Sequence, residues 1–389
     1  MPPKITLKIG VPRETKDGET RVAATPSTVT DLIKFGVDVY VEKNAGASAS
    51  YSDQQYANAG AKVVSDAKAL YKDADIVLKI QPPTADEIKV MRDGTTLIGL
   101  FWVLSNKDLV KQLAAKKMTL FSLELVPRIT RAQSMDVLSS MSTVSGYKAV
   151  LIATEHFGKF FPLLMTAAGT VMPANVLVIG AGVAGLQAIA TAKRLGAKVE
   201  AFDTRPAVKE QVESLGARFV EMEMPKDADA ETKGGYAKEM SEEFIKKEME
   251  AIGSRLPKMD IVITTALVFG KKAPLLITED MVKKMPEGSV IVDIAAEQGG
   301  NCQLTKAREV VKKYGITIAG PVNLPAMMPV HASEMYSKNM VNLVTHVYKA
   351  EDRKIDVKDE ITAGCCVMEN GVYVSDIIKK AFSTGGEVK

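Results

Sequence analysis

Cysteine is scarce in this chain of 389 residues: there are three, at 302, 365 and 366, an odd number with no Cys-x-x-Cys pair. That pattern argues against a disulfide framework or a thiolate metal site and suits a reducing compartment. Histidine is equally scarce. His156, His331 and His346 show no ligand spacing with one another or with the cysteines, so no structural metal is expected. An excess of charge of one sign is also missing. The 50 basic and 47 acidic residues are interspersed for a net +3, which leaves no large basic surface for nucleic acid or an anionic membrane. Residues 160–192 lack a long unbroken apolar run, because Pro162, Pro173, Asn175 and the glycines at 180, 182 and 185 interrupt them, whereas a spanning helix needs about 20 predominantly apolar residues. A loop, a buried strand and its helix fit that stretch better, and no direct membrane insertion is expected. Residues 5–9 already read as a strand, leaving no room for a signal peptide, so a cytoplasmic chain is expected.

What the chain does have is a repeated alternation of short apolar runs with helical patterns, the mark of α/β domains with mostly parallel sheets. Its length favours two domains. In the first, strands are expected at 5–9, 37–41, 76–80, 96–100 and 118–121, and a helix starts at Thr25 (cap) and Pro26 and stops at Gly36. No glycine fingerprint follows the first strand there. A second series has strands near 176–179, 198–202, 217–220, 261–265, 289–293 and 316–319, the six of a dinucleotide-binding domain. A helical pattern at 332–347 leads back. The expectation is two Rossmann-like, doubly wound parallel-sheet domains with an interdomain cleft. They comprise 1–137 plus 327–389, lacking the fingerprint, and 138–326, with a charged insertion at 225–257. That insertion reads either as a solvated surface helix or as a mobile flap hinged at Gly234 and Gly235 and carrying Tyr236.

The densest signal is Gly180-x-Gly182-x-x-Gly185, directly after the apolar run Val176-Leu177-Val178-Ile179. A buried strand running through a glycine turn into a helix brings backbone N–H groups to a pyrophosphate with no Cβ in the way. Asp203 ends the next apolar run. Its carboxylate can accept from both ribose hydroxyls and repel a 2′-phosphate, which favours NAD over NADP, and Arg205 beside it tempers that preference. A second cluster, Arg128, Gln133, Asp136 and Ser139, lies where the first domain hands over to the second. Gln133 and Asp136 share a face if helical. An amide, a carboxylate and a guanidinium could orient a carboxamide and a ribose, or could simply form a polar turn with a salt bridge. No histidine stands in an evident catalytic loop. A hydride passed between two nicotinamides releases no proton and needs positioning groups only.

The segments Arg128 to Asp136, Gly180 to Gly185, Gly234 to Met240 and Asp293 to Gly300 closely resemble the NAD(H)-binding component of proton-translocating NAD(P) transhydrogenase, over essentially the whole chain. The resemblance implies a component that binds NADH and passes hydride to NADP+ held on a separate NADP(H)-binding component, coupled to proton movement through a membrane-spanning component. It further implies a homodimer, peripheral to the cytoplasmic face of the inner membrane. By the same match, Arg128, Gln133, Asp136 and Ser139 form the loop beside the nicotinamide. Val183, Asp203, Thr204, Arg205, Gly235 and Leu267 line the rest of the dinucleotide, and Tyr236 sits on the mobile loop. The chain also resembles alanine dehydrogenase, whose substrate-binding Arg and Lys match Arg21 and Lys79. The catalytic His of that family falls at Trp102 and its active-site Asp at Glu297. Tryptophan cannot donate and recover a proton at neutral pH, which counts against that activity. Arg21 and Lys79 then read as structural residues paired with carboxylates. The alternatives left beside the transhydrogenase component are an amino-acid dehydrogenase and an NAD-binding module without chemistry.

Overall fold

Val176, Leu177, Val178 and Ile179 are all buried, as residues of a parallel strand covered on both faces must be. The computed structural model describes residues 7–222, 242–268, 272–348 and 355–383. It divides into two units, Met1–Met141 with Pro325–Lys389, and Ser142–Leu324.

The first unit is built on six parallel strands: β1 (Lys8–Val11), β2 (Asp38–Glu42), β3 (Lys62–Val64), β4 (Ile76–Leu78), β5 (Thr96–Gly99) and β6 (Thr119–Ser122). Their order is β3-β2-β1-β4-β5-β6, so the sheet changes winding direction between β1 and β4. The C-terminal strands Cys366–Glu369 and Val372–Tyr373 add an antiparallel edge beside β6. The helix Pro26–Lys34 begins where its sequence says. The Thr25 hydroxyl accepts from the Thr28 amide, Pro26 opens the helix, and Gly36 follows with φ +90°. The long helix Pro329–Val347 belongs to this unit and is tied to its sheet by Tyr336, whose buried hydroxyl donates to the Lys79 carbonyl at 2.7 Å.

In the second unit an exposed hairpin, β7 (Leu164–Thr166) and β8 (Gly169–Val171), occupies the stretch expected to be a loop. The sheet follows with β9 (Asn175–Ile179), β10 (Lys198–Phe202), β11 (Arg218–Phe219), β12 (Ile261–Thr264), β13 (Val290–Asp293), β14 (Val310–Lys313) and β15 (Ile316–Ala319). The order is β11-β10-β9-β12-β13-β15, all parallel, with β14 antiparallel at the edge. Alternation along β9 explains its unbroken apolar run. Val176 and Val178 join the core formed with Ala188, Ile189 and Ala192 of the helix Val183–Arg194. Leu177 and Ile179 join the opposite core, with Ile252 and Leu256. Ile252 lies on the helix Glu242–Arg255, the portion of the charged insertion that is described. That helix is therefore not simply solvated: it buries Phe244 and Ile252, each contributing about 1.5–3 kcal/mol, because the second face of the sheet needs a cover. Residues Gly234, Gly235 and Tyr236 lie outside the described residues.

Candidate functional site

The turn after β9 shows why each fingerprint position is glycine. Gly180 has φ +94°, and its amide donates to the Phe202 carbonyl at 2.8 Å, prolonging the β9–β10 ladder into the turn. A Cβ on Gly180 would meet the Thr265 hydroxyl at 2.6 Å. A Cβ on Gly185 would overlap the Gly180 carbonyl oxygen outright, so only glycine lets the helix Val183–Arg194 start this close to the strand. Gly182 is different. It is the residue before the helix, supplies no side-chain cap, and among the described residues a Cβ there would meet nothing nearer than the Arg205 guanidinium at 4.0 Å. Packing does not demand glycine at 182; room above an uncapped helix N-terminus does, and that fits a diphosphate. Val183, the first helical residue, is exposed beside it.

Asp203 follows β10 and is only 6 % exposed at its side chain. Its carboxylate is engaged by the protein itself. Oδ2 accepts from the Ala181 amide at 2.7 Å and from Arg205 Nη2 at 2.8 Å, and Oδ1 accepts from the Arg205 amide at 2.8 Å and Nε at 2.9 Å. Thr204 between them and Leu267, after β12, are half-buried. Glu248, on the helix Glu242–Arg255, has its carboxyl pushed up to about 7, first by burial and then by the negative charge of Asp203.

Three supports of this unit receive no role from the sequence, Asp293 being named there only as the start of a motif. Thr265 donates to the Gly180 carbonyl at 3.0 Å and so pins the glycine turn. Asn301, fully buried, donates to the Ala266 and Pro274 carbonyls and accepts from the Ala266 amide, fixing the segment before Leu267. Buried Asp293 gathers the Thr264 and Thr305 hydroxyls and the Ala295, Asn301 and Cys302 amides. Gly146 is a fourth. A Cβ there would strike the Ala184 carbonyl, so the helix Val137–His156 packs on the first turn of Val183–Arg194 backbone to backbone. A lone glycine inside a long helical pattern is the one available signal.

In the first unit, Thr130–Met135 forms a 3-10 turn rather than an α-helix. Gln133 is exposed on it, and Arg128 is exposed just before it. Asp136 does not share a helical face with Gln133. Its amide donates to the Gln133 carbonyl at 3.2 Å, and its carboxylate accepts from the Ser139 amide at 2.9 Å and hydroxyl at 2.6 Å. The start of the helix Val137–His156 leaves orphan N–H groups, and Asp136 caps them. The turn is anchored from the helix Pro329–Val347. Asn339 and Asn342 both donate to the Ser134 carbonyl, at 2.8 and 2.9 Å. Arg131 reaches Asp359 and Glu360 at 3.7 and 3.5 Å.

Arg21 and Lys79 carry carboxylate partners, as their structural reading requires. Arg21 makes a two-pronged pair with Glu19 at 2.6 and 2.7 Å, and Gln81 donates to the same carboxylate at 2.7 Å. Burial alone would raise Glu19, but the hydrogen bonds and charge of Arg21 outweigh it and hold the carboxyl at about 2. Lys79, 1 % exposed at its side chain, lies 2.9 Å from Glu87 and 3.4 Å from Glu14. Trp102 is 41 % exposed and has a left-handed backbone, φ +48°. The amides on either side of it, from Phe101 and Val103, both donate to buried Glu124. Glu297 is exposed.

Two family models match the chain: alanine dehydrogenase/PNT, N-terminal domain, over residues 10–145, and alanine dehydrogenase/PNT, C-terminal domain, over residues 149–376. A relative from Rhodospirillum rubrum, named as a portion of NAD(P) transhydrogenase subunit alpha, is 48% identical over 375 residues, covering 95% of this chain and 98% of its own. The crystal structure of a transhydrogenase from Sinorhizobium meliloti is 40% identical with a TM-score of 0.85, over 94% of this chain and 100% of that one. An L-alanine dehydrogenase structure is more distant, 25% identical with a TM-score of 0.81, over 97% of this chain and 99% of its own.

Proposed function

The chain belongs to the alanine dehydrogenase/PNT family, and we propose that within it the protein is the NAD(H)-binding component of a proton-translocating NAD(P) transhydrogenase. The observation that carries the nucleotide side of this reading is Gly182: an uncapped helix N-terminus, with space above it that a side chain would fill. The greater likeness to proteins named transhydrogenase than to alanine dehydrogenase supports the rest.

In this reading the amides at the uncapped start of the helix Val183–Arg194 bind the diphosphate, and Asp203 takes the adenosine ribose, with Thr204 and Arg205 lining that end of the site. Val183 and Leu267 line the nucleotide, together with Gly235 and Tyr236. Gln133 and Arg128 hold the nicotinamide carboxamide, and Asp136 and Ser139 keep their turn in place. When bound, the dihydronicotinamide supplies a hydride to the oxidised nicotinamide of a separate NADP(H)-binding component. The chain's own task is therefore orientation, which alone can remove several kcal/mol of a barrier. No proton has to move at the reacting carbon, which is consistent with Trp102 at the place of a catalytic histidine: an indole N–H donates a hydrogen bond but does not exchange its proton near neutral pH. A 2-oxo acid would have to compete with Glu19 for Arg21 and with Glu14 and Glu87 for Lys79. Both points weigh against an amino-acid dehydrogenase. The exposed polar groups Arg128 and Gln133 weigh against a module without chemistry.

The protein acts as a homodimer on a membrane-spanning partner, peripheral to the cytoplasmic face of the inner membrane. Among the described residues no helix is long and apolar enough to cross a membrane. The test is NADH oxidation by the purified chain, first with pyruvate and ammonium, then with the NADP+-loaded partner component of a known transhydrogenase. Turnover is expected only with the partner. Turnover of pyruvate by the chain alone would sink this assignment.

A further inference from the structure

We propose that Arg205 is a specificity latch: its guanidinium stands in for the ribose 2′,3′-diol on Asp203, and nucleotide binding exchanges one for the other. The inference rests on reading the glycine turn as the NAD(H) site and adds how that site chooses between nucleotides.

A carboxylate has about four acceptor positions. On Asp203 all four are filled, symmetrically: each oxygen takes one backbone amide (Ala181 on Oδ2, Arg205 on Oδ1) and one guanidinium N–H (Nη2 on Oδ2, Nε on Oδ1). The amides orient the carboxylate and can stay. A cis-diol also offers two donors, so it can replace the guanidinium bond for bond, and it cannot bind Asp203 while the guanidinium remains. The guanidinium lies over the turn, since the nearest neighbour of a Cβ on Gly182 would be Arg205 Nη2. Both side chains are mostly buried, at 6 % and 13 % exposure, so the pair is more than a surface ion pair. A ribose bearing a 2′-phosphate has lost one of its two donors and adds negative charge, so it cannot complete the exchange. Arg205 thus competes with every nucleotide, and only an unmodified diol restores both bonds.

The competition sets the sign of the test. In Arg205→Ala the Asp203 carboxylate loses two charge-assisted hydrogen bonds that NADH no longer has to displace. NADH should bind about tenfold more tightly, and NADPH should show no comparable gain. Arg205→Lys keeps the charge but not the fork and should fall between the two proteins, which covers the case in which the alanine variant folds poorly. Asp203→Asn should weaken NADH. Dissociation constants come from nucleotide fluorescence titrations of all four proteins. In wild type, the Arg205 Nε–H resonance should shift and lose its exchange protection as NADH saturates. Weaker or unchanged NADH binding in Arg205→Ala and Arg205→Lys, an equal gain for NADPH, or an unmoved Arg205 resonance at saturation each overturns the latch while leaving the NAD(H) reading intact. Wild-type protein that binds no NADH overturns that reading and the latch with it.

Discussion

The two units have the same parallel-strand order, each sheet reading 3-2-1-4-5-6, yet they use the end of the first strand in opposite ways. In the second unit β9 runs into Gly180 and an uncapped helix start at Gly182, where no described residue would crowd a Cβ. In the first unit β1 runs into Pro12, Arg13 and Glu14. Across the switch point from them β4 runs into Lys79 and Gln81, and these residues join Glu14, Glu19, Glu87 and Arg21 in a buried web of ion pairs and hydrogen bonds. Topology supplies a crevice at that point in both sheets. Only the residues of the first turn decide whether it becomes an open glycine turn or a charge-filled core, so fold alone does not assign function to either half.

Breaking the web should cost most. Glu19→Ala leaves Arg21 buried without its counter-charge and should destabilise the first unit by about 3–5 kcal/mol in urea unfolding. Loss of less than about 1 kcal/mol would mean the web is not what holds this unit's switch point. The same pair fixes an acid limit. Glu19 sits at about 2 against an ordinary 4.5, so its contribution is fully present above 4.5 and is lost as pH falls towards 2. The shift corresponds to about 3 kcal/mol, and the Glu19 variant should lack that component of the acid unfolding profile.

Breaking the glycine turn is the next largest change. Gly185→Ala forces the helix Val183–Arg194 away from the Gly180 carbonyl, at about 1–3 kcal/mol of stability, and should abolish measurable NADH binding. The matching cavity-neutral change in the first unit, Gly18→Ala, meets nothing within 4 Å among the described residues, although its φ of +75° still carries strain. It should leave NADH affinity untouched. The smallest stability effect expected is at Glu248, whose raised pKa has the opposite sign to that of Glu19. Its protonated form suits the fold below about 4.5, and stability falls as pH rises through about 7. Glu248→Gln should therefore gain on wild type at pH 8 but not at pH 5, by about 1 kcal/mol once solvent screening of a part-exposed carboxyl is allowed for. Equal Tm differences at both pH values would remove Asp203 and burial as the cause. For the positioning role, Gln133→Asn should slow hydride transfer far more than it weakens NADH, because one lost methylene misplaces the carboxamide. Equal losses in both would argue that Gln133 only binds.

What is legible in the chain is what is enforced locally. The glycine turn, the Thr25–Pro26 helix start and the long buried strands can be read because each depends on residues within one turn of one another. Strand ends are less secure: sequence pattern places the first strand at 5–9, and the structure places it at Lys8–Val11. Short edge strands escape the pattern, Lys62–Val64 and Val310–Lys313 among them, because exposed edges carry little apolar signal. Helical spacing pairs Asp136 with Gln133, whereas the demand of a helix start for a cap decides its place. The supports of the site, Asn301 on the Ala266 loop and Asn339 on Ser134, join residues far apart in sequence, and no local pattern announces them.

The central claim, that this chain orients one nicotinamide for direct hydride exchange with another, is tested most directly by isotope. NADH deuterated at the transferring C4 position, given to the protein with its NADP+-loaded partner component in ordinary water, should yield NADPH that retains the full deuterium label. NADPH carrying hydrogen from solvent would contradict direct exchange, because a hydride passed between two nicotinamides leaves no step at which solvent hydrogen enters at the reacting carbon.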